Sequence, residues 1–159
     1  MKYFTDENGI LIAGLGNQLL KDDGVGVHVA NELKKHKIDG AVVVDVGTSI
    51  NNSLEIFQEA KTVIFIDAME AGYFPGTVYQ LKKRAHKNKN DVSAMHESSI
   101  IESLRLIRQD EMPEIHVIGV EPRDIELGID LSEPVKESIP KICNQVRRLA
   151  EELKNAANF

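Results

Sequence analysis

A short apolar run that stops at two glycines, followed after an acidic pair by a helical stripe, is the feature of this chain that leaves the fewest folds open. Ile10, Leu11, Ile12 and Ala13 are apolar without interruption, which suits a strand buried on both faces rather than a half-exposed one. Gly14 and Gly16 then allow the backbone to turn tightly. Val25, Val29, Ala30 and Leu33 recur at spacings of three and four, which predicts one apolar face of a helix. Asp22 and Asp23 stand just before that helix. A carboxylate is favoured there by the exposed N–H groups of the first turn and by the helix dipole.

One cap needs only one carboxylate, and this chain has two. The Gly14/Gly16 pair also fits a dinucleotide-binding turn, in which such glycines let a pyrophosphate approach the backbone. Against that reading, Leu19 stands where the third glycine belongs, and Asp22 and Asp23 repel a phosphate.

Apolar runs alternate with helical patterns along the rest of the chain, with no internal repeat and no low-complexity segment. This predicts an α/β fold: a three-layer sandwich in which a mostly parallel sheet of about five strands carries helices on both faces. Lys34, Lys35 and Lys37 suit the end of the first helix, and Gly40 closes the segment. Val42 to Val46 reads as the second strand and Val63 to Ile66 as a central buried one. Asn51, Asn52 and Ser53 are candidate caps for a helix with Leu54, Phe57 and Ala60 as its stripe. Pro75-Gly76 signals a turn. Thr77 to Leu81 alternates as an edge strand, and the connection from Asp67 is too short for a crossover helix, so that strand should run antiparallel.

The basic stretch from Lys82 to Met95 lacks apolar periodicity and reads as a solvated loop, since it has no aromatic residues for base stacking. A helix from Ser98, with Ser98 or Ser99 near its cap, carries Ile100, Ile101, Leu104 and Ile107 on one face. Ile115 to Val120 is the last strand. Ser132 caps the final helical segment and Pro134 fits its first turn, whereas Pro140 predicts a kink before a longer helix in which Ile142, Val146, Leu149 and Leu153 face the sheet.

A length of 159 residues fits one domain spanning 1–159. The net charge of −6 argues against a general nucleic-acid binder, which needs a basic face. No apolar run approaches the roughly 20 residues needed to cross a bilayer. The start, MKYFTDENG, has no apolar core of signal-peptide length, and the lone Cys143 cannot form an internal disulfide, so a cytoplasmic location is expected. Cys143 lies among the apolar positions of the last helix and reads as core rather than nucleophile. No GxSxG, HExxH or CxxC pattern is present.

Gly14-Leu15-Gly16-Asn17, followed by Leu20, Asp22-Asp23-Gly24 and Gly26, resembles the opening motif of the nickel-iron hydrogenase maturation endopeptidases. Asp45-Val46-Gly47-Thr48 is similar to that family's Asp-Gly-Gly-Thr segment, Phe65-Ile66-Asp67-Ala68 to its third-strand aspartate segment, and His96 to its loop histidine. Gly119-Val120-Glu121-Pro122 and Leu131-Ser132-Glu133-Pro134 also match in order and spacing. The resemblance implies an endopeptidase that trims the C-terminal extension from a hydrogenase large-subunit precursor. It implies further that Asp23, Asp67 and His96 contact nickel already inserted in that substrate, with no permanently bound cofactor. Val46 departs from the pattern, because a β-branched residue is stiffer than the expected glycine and leaves Gly47 alone to flex.

The residues carry part of this reading by themselves. In open α/β sheets the ligand crevice lies beyond the carboxyl ends of the strands, and Asp23 follows the first strand while Asp67 ends the third. With His96, from a loop before a helix, they make an oxygen and nitrogen set suited to borderline divalent metals such as nickel or zinc. Each has a plainer role available: Asp23 as a helix cap, Asp67 bound to backbone N–H groups, His96 as a surface residue. Glu121 is open to two readings, a site-lining carboxylate or a turn residue. Two other functions stay open on sequence, a non-cleaving nickel-sensing maturation chaperone and a nucleotide-binding protein using the Gly14/Gly16 turn.

Overall fold

The first strand is apolar at every position because nothing in it meets water. In the computed structural model, which describes the backbone of residues 2–83, 95–108 and 111–158 and all their side chains except those of 83 and 95–98, β1 (Ile10–Leu15) is buried from end to end. It is flanked by β2 (Ala41–Gly47) and β3 (Thr62–Ala68), both parallel to it. β5 (Glu114–Val120) runs parallel to β3, and β4 (Val78–Lys83) closes the sheet antiparallel to β5. The strand order is β2-β1-β3-β5-β4. Four strands are therefore parallel and one edge strand is antiparallel, as the pattern predicts.

Alternation along the strands separates two cores. Ile10, Ile12, Ile64 and Ile66 point to one face, where they meet Val25, Val29 and Leu33 of α1 (Val25–Leu33) and Val135, Ile142, Val146 and Leu149 of α4 (Glu133–Ala157). Leu11, Ala13, Val63 and Phe65 point to the other, against Phe57 of α2 (Leu54–Glu59) and Ile100 and Leu104 of α3 (Met95–Ile107). Cys143 belongs to the first core, and burial pushes its thiol pKa up. No helix among the described residues is long and apolar enough to cross a membrane.

Several local expectations are corrected. Ser53 makes no side-chain cap bond; Ser49 accepts from the Asn51 N–H instead, capping a 3-10 turn at Ile50–Asn52. The buried residues of α2 are Ile56 and Phe57, while Leu54 lies exposed, because a helix of under two turns buries only a narrow stripe. α3 begins at Met95, ahead of the expected Ser98, since three of its first four residues are polar and periodicity registers only the apolar stripe that follows. Residues 84–94 of the basic stretch lie outside the described residues.

Pro140 does not divide α4, which runs as one helix of 25 residues. The proline removes the bond to the Lys136 carbonyl, but both residues are exposed, so water can satisfy that oxygen. Ser132 occupies the position before α4 and makes no side-chain cap bond; its hydroxyl is used elsewhere.

Candidate active site

The glycines after β1 are spent on backbone packing. A β-carbon at Gly14 would stand 2.2 Å from the Gly26 carbonyl oxygen, and one at Gly16 would stand 1.8 Å from that of Asp23. At Gly26 it would meet the carbonyl oxygens of Ile66 at 2.0 Å and of Leu15 at 2.4 Å. Side chains at these places would push the segment off the sheet, so the glycines seat a 3-10 turn (Lys21–Gly24) and the start of α1 directly on the carboxyl ends of β1 and β3. The space a pyrophosphate would use beside Gly16 is filled by the chain's own Asp23 carbonyl. That geometry removes the structural basis for a nucleotide-binding turn.

Asp23 lies buried in this turn, and its Oδ2 accepts from the Asn17 N–H at 3.0 Å. Its backbone N–H donates to the Leu20 carbonyl at 3.1 Å. Asp67, fully buried, is the penultimate residue of β3 and pairs in register with Gly119 of β5. Since Val63 and Phe65 point to the α2/α3 face, a period of two sends Asp67 to that face as well. The two aspartates thus share the carboxyl edge of the sheet.

His96 is the second residue of α3 rather than a loop residue. The far end of that helix is pinned at the opposite edge, where Arg108 donates to the carbonyls of Phe57 and Ala60. Thirteen residues of helix span roughly 20 Å, enough to carry the first turn back toward the carboxyl edge. The His96 side chain lies outside the described set. Among the described residues, no group of three or more His, Cys, Asp or Glu is placed to hold a metal ion.

Residues not singled out in sequence shape the surroundings. Tyr79 of β4 packs into the α2/α3 core, and its hydroxyl donates to the Met69 carbonyl at 2.8 Å. Burial, then the charges of Glu121, Tyr73 and Asp67, push its pKa up to about 12. Gly119 makes room for that ring, since a β-carbon there would stand 2.6 Å from it. Glu121 takes the turn role: its carboxylate accepts from the N–H groups of Ala71 at 2.8 Å and Gly72 at 3.2 Å, holding the segment after β3. His116 is buried in β5 and pairs with Glu114 at 2.7 Å, away from the carboxyl edge.

Asp22 does not cap α1. Its buried carboxylate accepts instead from the N–H groups of Arg123, Asp124 and Ser132. Next to the Asn17 and Gly16 contacts of Asp23, a cleft of 380 Å³ is lined by Gly16, Asn17, Leu19, Asp45, Val46 and Gly47. Gly47, with φ of +72°, has nothing nearer to a would-be β-carbon than the Gly16 carbonyl oxygen at 3.9 Å, while Val46 packs against the core. A larger groove of 700 Å³ runs between β4 and α4, away from the aspartates.

A family model described as HycI, hydrogenase maturation protease, matches residues 27–149. The chain belongs to the hydrogenase maturation protease family. The matched stretch contains Asp67 and His96 and begins just after Asp23. Among solved structures, the chain is similar to the NiFe hydrogenase maturation protease HybD of Thermococcus kodakarensis, with 32% identity and a TM-score of 0.76 over 89% of this chain and 98% of that one. The hydrogenase maturating endopeptidase HybD of E. coli gives 26% identity and a TM-score of 0.74, over 90% and 92% of the two chains. Protein FrxA of Pyrococcus furiosus is 31% identical over 137 residues, covering 82% of this chain and 97% of that protein. Membership in this family of proteases supports peptidase activity for the chain.

Proposed function

We propose that this maturation protease removes the C-terminal extension of a nickel-iron hydrogenase large-subunit precursor after nickel insertion, in the cytoplasm that its lone buried Cys143 suits. In this reading Asp23, Asp67 and His96 meet the nickel, which arrives as cargo of the precursor. The observation that carries it is the seating of buried Asp23 and Asp67 on one edge of the sheet through Gly16 and Gly26, within a chain of the maturation protease family. Buried carboxylates are costly unless paired or bound to a cation. Two of them at one sheet edge, with an imidazole, suit a borderline divalent ion.

The chemistry required is addition of water to the scissile carbonyl, cleavage of the C–N bond and delivery of a proton to the departing amine. Bound nickel orients the substrate and polarises a carbonyl or water, and an aspartate at the edge accepts the proton that water releases. The test is incubation of the chain with the precursor in nickel-loaded and nickel-free forms. The reading predicts a shortened product from the loaded form alone. Cleavage regardless of nickel contradicts nickel recognition, and a stable complex without cleavage supports a sensing chaperone instead.

Because three side chains without a thiolate leave coordination positions to the substrate, the purified chain should retain no stoichiometric metal. Elemental analysis after dialysis checks this, and one tightly held nickel or zinc per chain contradicts it.

A further inference from the structure

Asp22 is fully buried, yet its partners lie more than a hundred residues away in sequence. Its Oδ2 accepts from the N–H groups of Arg123 and Asp124, each at 2.9 Å, and from the Ser132 hydroxyl at 2.6 Å. Its Oδ1 accepts from the Ser132 N–H at 2.7 Å. Both ends of the 123–132 segment are therefore held by one carboxylate. Backbone bonds add to the clamp: Asp22 N–H to the Asp124 carbonyl at 3.0 Å, Lys21 N–H to the Gly128 carbonyl at 2.8 Å, and Gly128 N–H to the Leu19 carbonyl at 2.9 Å.

The clamped segment holds apolar side chains out in water. Leu127 is 84% exposed, Ile129 68% and Leu19, bonded to it through the backbone, 61%. Leu127 and Ile129 flank Gly128, whose N–H donates to the Leu19 carbonyl, so the three side chains extend from neighbouring backbone. Grouped exposed apolar side chains of this kind mark interaction surfaces. Leu19 also lines the cleft beside Gly16 and Gly47, together with Asn17, whose N–H holds the Asp23 carboxylate. Asp23 is also held within its own turn, its carboxylate by the Asn17 N–H and its N–H by the Leu20 carbonyl.

We propose that Asp22 is a positioning residue: its carboxylate holds the 123–132 segment so that Leu19, Leu127 and Ile129 form the surface on which the hydrogenase precursor docks. The inference rests on the proposed precursor-cleaving function and adds to it a division of labour between neighbours. Asp23 serves the chemistry, and Asp22 serves binding. Loss of the clamp therefore acts on KM, whereas general destabilisation lowers the fraction of active protein and so the apparent kcat.

Asp22→Asn keeps the shape but turns an amide NH2 toward backbone donors. With nickel-loaded precursor it should raise KM about tenfold, the size of one or two broken charged hydrogen bonds, and leave kcat within about twofold. Hydrogen exchange should show lost protection at the amides of Arg123, Asp124 and Ser132. A fall in kcat with unchanged KM overturns the proposal. If Asp22→Asn fails to fold, Leu127→Asp decides: the side chain is exposed, so the variant should fold, and it should raise KM while Leu106→Asp, exposed at the far end of α3, should not. An unchanged KM in Leu127→Asp overturns the proposal. If the wild-type chain cleaves no precursor, the proposed function fails separately, and precursor affinity by calorimetry replaces KM. Weakened binding in Leu127→Asp then supports the docking surface, and unchanged binding overturns it.

Discussion

At Gly26 the first helix touches the sheet, backbone to backbone, and the position of Asp23 depends on that contact. Gly26→Ala places a methyl 2.0 Å from the Ile66 carbonyl oxygen, with neither side able to yield as a flexible side chain would. It should destabilise the fold by about 2–3 kcal/mol. Thermal unfolding would show a fall of several degrees, and an unchanged midpoint would mean that α1 sits further from β3. Asp22 makes a second prediction at this scale. Burial raises its pKa, but hydrogen bonds from Asp124, Ser132 and Arg123 outweigh it, so the net shift is down from 3.8. A carboxyl whose folded pKa lies below its unfolded value contributes stability that is full above the unfolded value and is lost as pH falls through the folded one. Asp22→Asn should therefore flatten the acid limb of a stability–pH curve; an identical limb would contradict the role given to its charge. In sequence Asp22 is indistinguishable from Asp23, because both are acids before a helix. Only the return of Ser132 to the same place, 110 residues later, separates a clamp from a site residue.

Elements with strong periodicity were legible. The unbroken apolar runs of β1 and β3 and the Ile142, Val146, Leu149 face of α4 stand where pattern places them, and the antiparallel edge strand after Pro75-Gly76 is present but runs on through Lys82 and Lys83, which read as loop. The misses have different causes, and the first is that a largely polar turn carries no periodic signal. The first turn of α3 holds His96 and precedes the apolar stripe that begins at Ile100, so the histidine reads as a loop residue in sequence. Pro140 misled for the opposite reason, since a proline's effect depends on which face of a helix it occupies. On the exposed face of α4 the orphaned Lys136 carbonyl is open to water. Pro140→Ala restores the missing N–H and should raise stability by roughly 1–3 kcal/mol, measured by urea denaturation. A lower midpoint would show that the proline is preferred there through its effect on the unfolded chain.

Across the whole molecule, the parallel sheet provides a rigid edge, and the proposed function assigns recognition to the loops after its strands. Asp67 belongs to the rigid part, held at the end of the central strand by pairing with β5. Docking of one protein on another spreads over a surface much larger than one side chain, so in the proposed function a single buried residue need not dominate it. Chemistry and docking are therefore separable at Asp67, and the family's protease activity can be tested there against a purely structural role. Asp67→Asn keeps the size and shape of the side chain but removes the charge that attracts a metal or accepts a proton. The decisive measurement sets cleavage of nickel-loaded precursor by Asp67→Asn beside its binding of the same precursor and its thermal midpoint. The account predicts a folded variant that binds the precursor and does not cut it, and cleavage at near the wild-type rate would contradict it.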